Sequence, residues 1–216
     1  MAKWKRAVPD AAQQRELKLD ALYREAAQAF RRDGYHATSL NDIAKALGIS
    51  KPTLYYYVKN KQDLLYQCHL AAAEQALQSV CAEPGLKPIE RLHRTTAAYV
   101  RSTISDDSYS VIILEEKSLS AAQLDIVVRE RDKFEGALLG MIEAAMQDGS
   151  ILPGNAKFAV LIVLGAINWV TKWYRPHRTW SIDEIAEGVA GFVCRGLASG
   201  EAPAFPGSRL LENRQN

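Results

Sequence analysis

Apolar residues along this chain recur mostly every three or four positions, the spacing of helical faces, and no stretch alternates in the manner of a strand. Between Gln13 and Asp33, Leu19, Leu22, Ala26, Ala29 and Phe30 fall on one helical face, and Gly34 is placed to end it. Ser39 opens Ser-Leu-Asn-Asp, an acidic form of the capping box. Leu40, Ile43, Ala44 and Leu47 then form the stripe of a short second helix closed by Gly48. Ser50 is placed to cap a third helix, Lys51 to about Val58, whose first turn tolerates Pro52 because no N–H is needed there. Asn60 is the predicted cap of a fourth helix reaching about Val80, and Pro84-Gly85 interrupts the chain. Five further helices are predicted, over about 88–103, 106–117, 121–147, 155–173 and 182–197, with Gly149, Pro153-Gly154, Pro176 and Ser181 between them.

Composition narrows the class. Of 216 residues, 48% are hydrophobic and 24% charged, enough apolar material for a buried core. Only 8 prolines and 13 glycines punctuate the chain, too few for the many turns of a sandwich or barrel. Cys68, Cys81 and Cys194 are odd in number and far apart, which supports neither a disulfide framework nor a zinc cluster and fits a reducing compartment. The segment MAKWKRAVPD has basic residues but no apolar run after them, so a secretory signal is excluded and a cytoplasmic location is expected. The apolar run from Phe158 to Thr171, broken by Gly165 and Asn168, falls short of the ~20 residues that span a bilayer and reads as a buried core helix.

Charge is unevenly spread. Residues 1–67 carry 12 Lys and Arg against 7 Asp and Glu, whereas the remainder is net acidic. The basic end predicts an anionic partner, nucleic acid or a membrane surface. The two short helices joined by Gly48-Ile49-Ser50 have the form of a helix-turn-helix, whose second helix can lie in the DNA major groove. If Leu54 and Val58 face inward, Lys51, Thr53 and the consecutive Tyr55, Tyr56 and Tyr57 surround the remaining surface. Tyrosine hydroxyls reach phosphates, their rings contact thymine methyls, and Lys51, Lys59 and Lys61 supply positive charge.

The run from Thr38 to Leu65, TSLNDIAKALGISKPTLYYYVKNKQDLL, resembles the DNA-binding region of the tetracycline-repressor (TetR) family, and the likeness extends back to about Leu17. The resemblance implies an all-α homodimer: a three-helix helix-turn-helix DNA-binding domain, here 11–66, and a C-terminal helical ligand-binding and dimerisation domain, here 67–199, with flexible tails over 1–10 and 200–216. It further implies that Thr38, Ser39, Ser50, Lys51, Thr53, Tyr55, Tyr56, Tyr57 and Lys61 stand where family members touch double-stranded DNA, an inverted-repeat operator. Val58 occupies a position where the family usually has an aromatic residue, which implies looser packing of the third helix.

Catalytic and metal chemistry find little support. The four histidines are scattered, and no HExxH, GxSxG, P-loop or dinucleotide fingerprint occurs. Glu90 and His93 have a Glu-x-x-His spacing, but a di-iron bundle needs a second copy and two further glutamates, which are not there. No enzyme, no cofactor and no metal are expected. On the later helices Tyr99, Ile113, Phe134, Leu138, Met141, Phe158 and Ile162 either line an effector pocket between helices or fill the core. The stretch from Gly165 to Ala186, with Asn168, Trp169, Lys172, Arg175, His177 and Arg178, is similar to the ligand domain of family members that govern fatty-acid and steroid catabolism and respond to acyl-coenzyme A thioesters. Its other reading is a dimer-interface helix followed by a basic loop.

Overall fold

The computed structural model describes residues 10–105, 108–109, 115–175 and 179–200. Within them run α1 (Ala11–Asp33), α2 (Leu40–Ala46), α3 (Lys51–Tyr57), α4 (Lys61–Gln78), α5 (Pro88–Ile104), α6 (Ala121–Gln147), α7 (Ala156–Trp173) and α8 (Ile182–Leu197). No strand forms among the described residues, where a bridge between Ile151 and Ala198 is isolated. The all-α class read from the periodicity holds. The predicted tails lie outside the described residues, apart from Asp10 and Gly200.

The chain divides into two compact units, Met1–Ala71 with Tyr109–Leu124, and Ala72–Ser108 with Asp125–Asn216. In the first, α1 begins at a reciprocal cap, Asp10 accepting from the Gln13 amide at 2.8 Å while the Gln13 side chain accepts from the Asp10 amide. It stops at Gly34, whose φ of +85° suits a residue without a Cβ. Leu22, Ala26 and Phe30 of α1, Ile43 and Ala44 of α2, Leu54, and Leu64 and Leu65 of α4 are all buried there. Val58 is also buried, so the smaller side chain still seals the end of α3.

Tyr109, Glu115 and Ser118 are tied into this unit by polar contacts. The Tyr109 hydroxyl donates to the Asp20 carboxylate and accepts from Arg24 Nε at 3.2 Å, with Asp20 and Arg24 themselves paired at 2.8 Å. Gln62 Nε2 donates to the Ser118 carbonyl at 2.6 Å, and His36 lies 3.3 Å from Glu115.

In the second unit α5 packs against α8 and α7. Small residues on the buried face of α8, Ala186, Ala190, Gly191 and Cys194, allow a close approach by α5, whose Ile89, Leu92, Tyr99 and Val100 are buried. Arg101 on α5 reaches Asp183 and Glu187 on α8, and His93 Nε2 lies 3.7 Å from Glu187.

Two sequence expectations change. The helix predicted over 106–117 does not appear among the residues described there: Ser108 and Tyr109 are non-helical, Glu115 is left-handed at φ +54°, and Glu116–Ser118 form a single 3-10 turn. Residues 106–107 and 110–114, Ile113 among them, lie outside the described residues. Serine side chains compete for backbone partners here, as Ser108 Oγ does by donating to the Thr103 carbonyl at 2.9 Å. The second change concerns α7. It is long and apolar enough to cross a membrane by length and composition, yet it packs on α5 and α8 along Val160, Val163, Ile167 and Val170. Its other face is exposed in the single chain, so it is not a buried core helix.

Candidate nucleic-acid interface

Local chemistry sets the path of the chain through α2 and α3. Ser39 Oγ accepts from the Asp42 amide and donates to the Asp42 carboxylate, closing the predicted box. The hydrogen bonds from Ser39 hold the Asp42 carboxyl below its ordinary value. At the other end Gly48, at φ +65°, bonds back to the Lys45 carbonyl and Ile49 to the Ala44 carbonyl, both at 3.0 Å, the paired bonds of a Schellman ending. One residue later Ser50 caps α3 by accepting from the Thr53 amide at 3.2 Å, and its hydroxyl lies 2.8 Å from that of Thr53.

Leu54 and Val58 turn inward, which sets what α3 presents outward. Lys51 and Thr53 are exposed, Tyr55 is 46% and Tyr56 75% exposed, and Tyr57 is half-buried with its ring edge-on to Tyr56 at 5.2 Å. The Lys51 ammonium sits 5.9 Å from the centre of the Tyr55 ring. A one-turn patch thus combines a cation, hydroxyls and two aromatic faces, the groups that meet phosphates, base edges and thymine methyls.

Three residues expected at the same surface are occupied within the protein. Thr38 is buried, and its hydroxyl lies 2.8 Å from the Gly34 carbonyl and 3.3 Å from that of Ala29. Ser39 is exposed, but its hydroxyl belongs to the α2 cap. Lys61 Nζ donates to the carbonyls of Tyr35, His36 and Thr38 at 2.9, 3.2 and 3.0 Å. Sequence reading passed over Lys45, exposed on α2; the signal was available, since it falls off the Leu40, Ile43, Ala44 stripe.

The residues read as effector contacts separate into two sets. Tyr99, Phe134, Leu138 and Met141 are buried together in the second unit, with the Tyr99 and Phe134 rings 4.5 Å apart and the Thr95 hydroxyl 3.6 Å from Met141 Sδ. Burial pushes the Tyr99 phenol up to about 12. Phe158, Ile162 and Trp169, at 64%, 57% and 65% exposure, stand instead on the outer face of α7. The 3.6-residue period explains it: they share a stripe opposite Val160, Val163, Ile167 and Val170, on a different surface from the four buried residues. Asn168 is half-buried, and its Oδ1 has no hydrogen-bond partner. Arg175 is exposed and folds back on the carbonyls of Lys172 and Tyr174 at 3.0 and 2.8 Å, covering the end of α7. Ile113, His177 and Arg178 lie outside the described residues.

Glu90 accepts from the Lys87 amide at 3.0 Å as a cap, while His93 turns into the α5 and α8 contact, where burial holds its imidazole below the ordinary value. Among the described residues no group of three or more His, Cys, Asp or Glu is placed to hold a metal ion.

Comparison with known proteins adds to this geometry. Residues 22–68 match the family described as bacterial regulatory proteins, tetR family, and residues 85–197 match the tetracyclin repressor-like C-terminal domain. The HTH-type transcriptional repressor KstR2 of Rhodococcus jostii is 27% identical over 180 residues, covering 81% of this chain and 88% of that protein. The crystal structure of the TetR-family regulator PfmR of Thermus thermophilus is 29% identical and covers 82% of this chain and 99% of its own, with a TM-score of 0.71. That of AibR in complex with isovaleryl coenzyme A and operator DNA is 26% identical, covers 81% and 96%, and has a TM-score of 0.68. With its helix-turn-helix and its C-terminal helices both matched, the chain belongs to the TetR family of helix-turn-helix transcriptional regulators.

Proposed function

We propose that this protein is a cytoplasmic, one-component repressor that binds an inverted-repeat operator as a homodimer and leaves it when a lipophilic acyl compound, with an acyl-coenzyme A thioester as the leading candidate, enters the C-terminal unit. The observation that carries the DNA-binding part is the outward face of α3, where Lys51, Thr53, Tyr55 and Tyr56 stand exposed on a helix anchored by Leu54 and Val58. Ser50 belongs to the same surface through its contact with Thr53. Dimerisation is supported by the apolar outer face of α7 and by the exposed Phe192 of α8. A two-fold dimer presents two copies of α3, hence the inverted repeat.

The effector class rests on the buried Tyr99, Phe134, Leu138 and Met141 cluster, on Lys172 and Arg175 at the end of α7, and on the likeness to AibR, solved with isovaleryl coenzyme A. For release, the effector has to prefer the arrangement that binds DNA poorly, because equal affinity for both arrangements shifts nothing. The test is release of a bound duplex by acyl-coenzyme A, the free acid and coenzyme A, each alone. Release by the thioester at concentrations where the other two fail supports the proposal. Equal potency of the free acid leaves a simple lipophilic effector, and no response to any acyl compound removes this class.

A further inference from the structure

We propose that Lys61 is a positioning residue for operator recognition and not one of its phosphate contacts: its ammonium locks the α1–α2 turn to the first residue of α4 and so fixes the frame that carries α2 and α3. The inference rests on the DNA-binding reading above. A lysine ammonium has three N–H groups and no others. Here each has a carbonyl acceptor, those of Tyr35, His36 and Thr38, at 2.9, 3.2 and 3.0 Å. The Tyr35 ring adds a fourth partner, its centre 4.5 Å from Nζ, and that ring is itself buried edge-on against Phe30. No N–H remains for a phosphate oxygen unless the clamp opens.

The clamped turn decides where α2 starts. It leaves α1 at Gly34, and the Thr38 amide and hydroxyl both return to the Gly34 carbonyl, at 3.2 and 2.8 Å. Ser39, the next residue, caps α2. The turn is therefore braced from α1 by Thr38 and from α4 by Lys61. Without the second brace three carbonyls lose their donor together, the α2 cap is held from one side, and α3, which follows α2 after a tight Gly48 turn, inherits the displacement. The lysines exposed on α2 and α3, Lys45 and Lys51, remain available for the charge contacts.

The two roles differ in their salt response. A lost phosphate contact flattens the dependence of log affinity on log salt by about 0.9, hence by about 1.8 for the two subunits of a dimer, because fewer counterions are released, whereas a lost brace weakens binding at every salt concentration. The experiment uses the full chain and a duplex that the wild-type protein selects from a random-sequence pool. Binding by K61M and K61R is measured across a salt series, with melting temperatures alongside. A brace predicts that both variants bind about tenfold or more weakly, with the wild-type salt slope. The charge-retaining K61R fails to rescue, since a longer guanidinium holds its donors in one plane on separate nitrogens and does not reproduce three bonds radiating from a single atom. Should K61M not fold, K61R alone carries the comparison. Wild-type affinity in K61R together with a flattened slope in K61M overturns the proposal in favour of a phosphate contact. Wild-type affinity in both, or a lowered melting temperature with unchanged affinity of the folded protein, also overturns it. Failure of the wild-type protein to select any duplex removes the DNA-binding reading itself, a result distinct from all of these.

Discussion

Helices α3 and α7 both show aromatic side chains to solvent, but of different kinds. On α3 the exposed rings are Tyr55 and Tyr56, each ending in a hydroxyl and accompanied by Lys51 and Thr53. On α7 they are Phe158, Trp169 and Trp173, with Leu161 and Ile162 between the first two. A ring with a polar tip suits a partner that is itself charged and hydrogen-bonding, whereas a stripe of Phe, Leu, Ile and Trp is satisfied by another apolar surface. Exposure alone therefore does not define an interface; the chemistry at the end of each side chain tells one partner from the other.

The contrast can be broken most severely from inside α3. Leu54→Ala should destabilise the first unit by about 2–5 kcal/mol, as a fully buried leucine does, and should abolish DNA binding only through unfolding. Chemical denaturation followed beside affinity reads both; an unchanged midpoint would show that Leu54 does not anchor the helix. On the other side of the comparison, Trp169→Glu should cost the dimer about 2–4 kcal/mol if the indole is a central contact, while leaving the fold of the single chain intact. Sedimentation over a dilution series checks it, and a variant that dimerises as tightly as the wild type would assign the stripe to another partner. Tyr56→Phe should have a smaller effect, weakening operator binding by about 0.5–1.5 kcal/mol for one hydroxyl without moving the melting temperature. Normal binding by Tyr56→Phe would leave only the ring as the contact.

Acidity offers a probe of the second unit. His93 is buried with its imidazole below the ordinary value, mainly through desolvation, with Arg101, Arg195 and Arg94 adding in the same direction and Glu187 opposing. The unfolded chain then takes up its proton first. Stability contributed by the neutral imidazole is complete above the ordinary histidine value of about 6.5 and falls as pH drops from there towards the lower folded value. Denaturant midpoints at about pH 7.5 and 5.5 should differ less in His93→Gln than in the wild type. Equal differences would mean that His93 does not set the slope. The smallest change is expected from Arg175→Ala, which should blunt the response to an acyl-coenzyme A without altering operator affinity, because a single exposed charge is screened. A changed affinity with an intact response would reverse that assignment.

The helix-turn-helix was legible because its signals are local. Ser39 and Asp42, Gly48, Ser50 and Asn60 act on residues within four or five positions of themselves, and the structure uses each as a cap or turn. The internal bonds of Lys61 were hidden for the converse reason: their acceptors lie 23 to 26 residues away, and only the folded turn points three carbonyls at one place. On α7 nearly every position is apolar, so the period marks a helix without marking its inner face; packing on α5 and α8 makes that choice. Tyr109 was equally hidden. The Asp20 and Arg24 pair it joins could be read from its i,i+4 spacing, but nothing nearby in sequence announces the tyrosine.

The outer stripe of α7 also gives the protein an optical signal of its own. Trp169 lies in that stripe, and Trp173 and Trp180, at the end of the same helix and just beyond it, are exposed as well. An indole moved from water into an apolar contact emits at shorter wavelength, so association of two chains through this stripe should shift the fluorescence to the blue on concentration and return it to the red on dilution. The assembly state can then be followed in unlabelled protein, at concentrations too low for sedimentation.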